Sequence, residues 1–163
     1  MAQEVLAWVV AIPLLGFVTG LRSMTPMAVL SWFAFFGRVP EVDGTWAWWV
    51  GKLPIAILLT VLAIAEYIAD KLPKMGNRTA PAPLVWRLAL GGLIGAIAAI
   101  ALNGSSLEAG LLAVLCALAG TFLGFHIRKE IVERVECADW QVAGVEDVVA
   151  VTCAIIAMGI ITA

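Results

Sequence analysis

Apolar runs about as long as a bilayer crossing follow one another along this chain, and its charged residues collect in the breaks between them. A spanning helix needs about 20 predominantly apolar residues. The chain has 163 residues, of which 63% are hydrophobic and 13% charged. An ordinary soluble domain is about half apolar and about a quarter charged. This pattern excludes a soluble fold and predicts an all-α, polytopic transmembrane helix bundle of five to six segments. Residues 1–163 then form a single integral membrane domain with no room for a soluble catalytic unit.

The first segment runs from Val5 to Leu21, interrupted by Pro13, and stops in the polar stretch Arg22-Ser23-Met24-Thr25-Pro26. A short second run, 26–37, closes at Gly37. The third begins at Trp46 or, after an interfacial tryptophan stretch, at Pro54, where proline suits the first helical position, and continues to about Leu72. The fourth covers Leu84 to Leu102, the fifth Leu107 to about Ile127 with a polar extension towards Val135, and the sixth Val145 to Ile161.

Basic residues set the orientation, because loops rich in lysine and arginine stay on the cytoplasmic side. Lys71, Lys74, Arg78 and Arg87 mark one such loop, and Arg128, Lys129 and Arg134 another. The Asn103–Ser106 link carries no basic residue and faces outside, as do both termini. A run of about 12 residues reaches roughly 18 Å, short of a hydrocarbon core of about 30 Å, so 26–37 either crosses a thinned membrane or re-enters it. Crossing is preferred, because it brings Arg22 to the side of the other basic residues. Glu4 stands where a signal peptide needs a basic region, so the first helix is expected to be retained.

The three cysteines show no paired or metal-binding spacing, which argues against a disulfide framework or a zinc site. A net charge of −2 excludes a basic nucleic-acid surface. No nucleophile–base pair or dense acid and histidine set is present, so catalytic and metal residues are expected to be none, and no cofactor is identified.

The break after the first helix holds the parts of an anion site: Arg22, the hydroxyls of Ser23 and Thr25, and a helix start with Thr25 as N-cap and Pro26 behind it. The other reading is a tight turn capped by Thr25, with Arg22 reaching lipid phosphates. Glu66 and Asp70, four apart, share one helix face, and Glu146 and Asp147 stand at the expected start of the sixth helix, where acids complement the dipole. In the preferred topology these four acids, Arg22, His126 and Arg128 share one cytoplasmic-side depth, where ionisable groups must face each other, water or headgroups. The candidate ligand-binding set is therefore Arg22, Ser23, Thr25, Glu66, Asp70, Arg128, Glu146 and Asp147. His126 has no partner spacing and reads as structural.

Glycine pairs at helical spacing, Gly16/Gly20, Gly91/Gly95 and Gly120/Gly124, suit close helix approach in lipid and support a tight bundle or a homo-oligomer. An internal duplication of a glycine-paired helix ending in arginine is suggested by Arg22 and Arg128, but the spacings differ and chance explains them better.

The segments Gly20-Leu21-Arg22-Ser23-Met24-Thr25-Pro26, Glu66 to Lys74 with Arg78-Thr79-Ala80-Pro81, Gly120 to Arg128 and Glu146 to Ala150 resemble the motifs of domain-of-unknown-function family four-one-two-six. These are small bacterial polytopic membrane proteins, and the resemblance covers nearly the whole chain. It implies a multi-pass protein of the bacterial inner membrane with no established activity. Three functions are weighed: a transporter or lipid-handling protein that binds an anionic lipid or small anion at the charged site with protons or cations balancing the acids, a non-catalytic scaffold or accessory subunit of a larger membrane complex, and, last, an intramembrane enzyme, for which the residues are lacking.

Overall fold

The structure, a computed structural model, describes residues 2–71, 79–136 and 138–163, and every regular element in them is helical. Helix α1 runs through Ala2–Leu6, a π-helical stretch Ala7–Ala11 and Ile12–Leu21. It is followed by α2 (Thr25–Phe35), α3 (Leu53–Ala69), α4 (Pro81–Ala101), α5 (Ser106–Val135) and α6 (Asp139–Ile161). Lys74, Arg78 and Cys137 lie outside the described residues.

The interruption expected at Pro13 is a widening of the helix instead. Proline lacks an N–H and its ring crowds the carbonyl four residues back. The π-helical turn beside it, in which the Ile12 N–H reaches the Ala7 carbonyl, absorbs that crowding without breaking α1.

Among the described residues, four stretches are long and apolar enough to cross a membrane: Gln3–Leu21, Pro81–Ala101, Ser106–Val135 and Asp139–Ile161. Thr25–Phe35 and Leu53–Ala69 are shorter apolar helices. The expected five to six segments thus divide into four of full length and two short ones. The run expected at 26–37 is helical over Thr25–Phe35, and α6 starts at Asp139 rather than at Val145.

At 1.5 Å per residue, α2 with its 11 residues is about 16 Å long and α3 with 17 is about 25 Å. The segment 36–52 fills the difference by folding inward. Its Val39, Val42, Ala47 and Val50 are buried, and the Ser31 hydroxyl donates to the Val50 carbonyl at 2.5 Å. Trp46 and Trp48 stay on the outside of this plug.

The side chains are distributed as lipid requires. On α5, Ala109, Ala113 and Ala117 are fully buried, whereas Leu111 and Leu115 on the other face are 59% and 64% exposed. Small residues inside and large apolar ones outside suit surroundings as apolar as the core, where close packing holds helices together.

The glycines make that packing possible. A Cβ on Gly16 would lie 2.5 Å from the Ala113 carbonyl oxygen, and one on Gly20 or Gly120 would overlap the facing backbone at Ala117 or Phe17. On α4, a Cβ on Gly95 would lie 2.5 Å from the Ala109 carbonyl oxygen and one on Gly91 2.8 Å from the Ala117 Cβ, and Gly124 faces the Leu21 side chain. All three expected pairs are therefore used within the chain.

Candidate functional site

Helices α1 and α2 meet at the break 22–24, and every charged group expected to belong to a site gathers around this end of the bundle. Both helix termini at the break carry unsatisfied backbone groups. Two charged side chains from other helices take up four of the backbone groups here.

At the start of α2, the Glu66 carboxylate accepts from the Ser23 N–H at 2.9 Å, the Ser23 hydroxyl at 2.8 Å and the Met24 N–H at 2.9 Å. A carboxylate suits the positive end of a helix. At the end of α1, Arg87 Nη1 donates to the Gly20 and Leu21 carbonyls, each at 2.8 Å, where a cation suits the negative end. Thr121 Oγ1 adds a bond to Gly20 at 3.2 Å. Arg87 Nη2 and Glu66 Oε1 are 3.5 Å apart, so the two caps also pair with each other.

Thr25 does not take the N-cap role expected of it. Its Oγ1 pairs with the Tyr67 hydroxyl at 2.6 Å, and no side chain of α2 caps its own start. Thr25 is the first residue of α2 and Met24 precedes it as the N-cap, so the Thr25 hydroxyl joins α2 to α3 instead.

Arg22 extends away from the break, completely buried, towards α3 and α6. Its Nε donates to Asp147 Oδ1 at 2.6 Å, and Nη2 lies 3.4 Å from the Ala143 carbonyl and 3.5 Å from Glu146 Oε2. Nη1 stands 2.8 Å from Asp70 Oδ2, a charge contact not aligned as a hydrogen bond. Tyr67 covers the guanidinium, with its ring centre 5.8 Å away. Burial of so many charges together is tolerable only because each carboxylate meets a cation.

A second arginine closes the network. Arg128 Nη1 reaches Asp70 at 2.5 Å and Glu146 at 3.5 Å, and its Nε and Nη2 grip Asp139 at 2.8 and 2.5 Å. Lys71 Nζ is 3.1 Å from Asp147. The expectation that Glu146 and Asp147 begin a helix is corrected here. They lie two turns inside α6, where they serve arginine partners rather than the dipole, and Asp139 occupies the first turn.

The candidate residues thus fall into two linked groups. Arg22, Asp70, Arg128, Glu146 and Asp147 form an enclosed ion network. Ser23 and Glu66 form the cradle at the α2 start, and Thr25 stands beside it through Tyr67. His126 is exposed, with its Nδ1 2.7 Å from the Phe122 carbonyl oxygen and its ring edge-on to Phe125. Arg87, Lys71, Tyr67 and Asp139 join the site without having been singled out for it. Arg87 carried the clearest signal, being a basic residue within the apolar stretch Val85-Trp86-Arg87-Leu88-Ala89-Leu90.

The cradle borders an open cleft of about 550 Å³ between α3 and α4. Its wall combines Leu62, Ala65, Ala69, Pro83 and Trp86 with the polar Ser23, Glu66, Asp70 and Arg87. Among the described residues no group of three or more His, Cys, Asp or Glu side chains could hold a metal ion.

No protein-family model, curated protein or solved structure matches this chain. The resemblance to the membrane family rests on the quoted motifs alone.

Proposed function

We propose that the protein is a multi-pass protein of the bacterial inner membrane, a small transporter or lipid-handling protein that binds an anionic group at its charged, cytoplasmic-side end. The cradle at the α2 start supports this reading. Two backbone N–H groups and the Ser23 hydroxyl converge on one carboxylate, with Arg87 3.5 Å away, beside an open cleft. Donors converging on a helix N-terminus accept carboxylate and phosphate alike. Glu66 is then a resident anion that an incoming one must displace, while the Arg22 and Arg128 network is the fixed floor behind it. The orientation follows from Lys71, Arg87, Arg128, Lys129 and Arg134, which all belong to this end.

The alternative, a non-catalytic scaffold or accessory subunit, drew its support from the glycine faces. Those faces are buried in contacts within the chain, which leaves no glycine groove of theirs for a partner helix.

Phosphate rescue of Glu66→Ala tests the reading. The variant is expected to unfold at a lower temperature than the parent in chloride and to recover in inorganic phosphate. A ligand at 100 times its Kd adds about 2.7 kcal/mol. Equal phosphate responses in Glu66→Ala and in the remote variant Gly159→Ala, or no response in either, would overturn it.

A further inference from the structure

We infer that the cleft between α3 and α4 binds an organic cation with an apolar body and no N–H group, of the quaternary ammonium or phosphonium class. This goes beyond the anion reading and does not rest on it, because Glu66 can stay on the amides of the break while the cleft is filled. A volume of about 550 Å³ falls within the range of small-molecule sites, which are mostly apolar clefts with a few fixed polar groups.

Charge decides the sign of the occupant. Among the described residues that line the cleft, Glu66 and Asp70 stand against Arg87 alone. The acids also lie in front of their cations. The side chains of Glu66 and Asp70 are 16% and 15% exposed, whereas Arg87 is 8% exposed and Arg22, the partner of Asp70, is wholly covered. An occupant therefore meets carboxylate before guanidinium.

Hydrogen bonding narrows the class further. Glu66 already accepts from the Ser23 N–H, the Ser23 hydroxyl and the Met24 N–H, and Asp70 is shared by Arg22 and Arg128. An ammonium group with N–H donors would have to take acceptors from these partners. A cation without N–H groups needs only the field of the carboxylates and an aromatic face. Trp86, 52% exposed on the cleft wall, is the side chain best suited to supply that face, and Leu62, Ala65 and Pro83 line the space for the apolar body.

Equilibrium dialysis of the full chain in a neutral detergent tests this, with tritiated tetraphenylphosphonium as the probe and tetraphenylborate, of the same shape and opposite charge, measured in separate samples. The cation is expected to bind saturably and the borate not to. Trp86→Leu keeps the wall apolar, and Ala82→Lys sets a positive charge on it outside the ion network. Each should raise the Kd of the cation about tenfold, equivalent to 1.4 kcal/mol. Trp140→Leu, exposed on α6 and outside the cleft, should leave it unchanged. Absence of saturable cation binding, a borate Kd similar to that of the cation, or Kd values for both cleft variants within twofold of the parent would overturn the inference. Phosphate rescue of Glu66→Ala without saturable cation binding leaves the anion reading standing and removes this one. Saturable cation binding that Trp86→Leu weakens, with no phosphate rescue, supports the cation site and removes the anion reading alone.

Discussion

Replacing Arg22 by methionine keeps most of the side-chain volume and removes the charge that three carboxylates share. Asp147, Asp70 and Glu146 lie 2.6, 2.8 and 3.5 Å from the guanidinium, which is fully buried. Removing one partner of a buried ion pair costs about 3–5 kcal/mol, because the other charge stays buried without compensation. The three acids are not affected equally. Asp70 and Glu146 keep Arg128, at 2.5 and 3.5 Å, whereas Asp147 keeps only the more exposed Lys71, at 3.1 Å, among the partners described. Asp147 should therefore account for the largest share of the loss. Adding Asp147→Asn to Arg22→Met is expected to recover stability, with a coupling energy above about 1 kcal/mol in a double-mutant cycle. Unfolding by sodium dodecyl sulfate in mixed micelles, followed by far-ultraviolet circular dichroism, measures both quantities. A loss below about 1 kcal/mol for Arg22→Met, or a double variant less stable than the single one, would refute the picture of a buried network centred on Arg22.

Gly20→Leu and Gly120→Leu should each destabilise strongly, because the added atoms meet the backbone of the facing helix, while Gly159→Ala, with open space around it, should melt like the parent; thermal aggregation in detergent checks this. Tyr67→Phe removes the 2.6 Å bond to Thr25 and should cost about 0.5–1.5 kcal/mol in the same unfolding assay. In a background lacking the native cysteines, Ser105→Cys should react with an impermeant maleimide added to intact cells, and Lys129→Cys only after the cells are opened. The reverse pattern would invert the assigned orientation.

The helical segments and the gathering of charge at one end were legible because both depend on local pattern: apolar runs, glycine pairs and basic breaks. The pairings were not, since they join distant residues. Arg22 to Asp147 spans 125 positions and Ser23 to Glu66 spans 43. Thr25 reads as a cap because it precedes Pro26, but it is already the first residue of α2, and nothing near it in sequence announces that a carboxylate from α3 binds the amides just before it. The start of α6 is hidden in the sequence because Asp139-Trp140-Gln141 reads as a polar loop. The small and buried residues Ala143, Asp147, Ala150, Ala154 and Ala157 continue the helical spacing back to it. Arg87 reads in sequence as a topology signal, although a basic residue between Trp86 and Leu88 has to find acceptors inside the bundle.

The most direct test of the anion cradle is a structure of Glu66→Ala in lipid nanodiscs prepared with excess phosphate. Tetrahedral density is expected within about 3 Å of the Ser23 and Met24 backbone nitrogens, with the Arg87 guanidinium turned towards it. A cradle closed by protein side chains, or holding only water at saturating phosphate, would contradict the claim that this helix start binds an exchangeable anion.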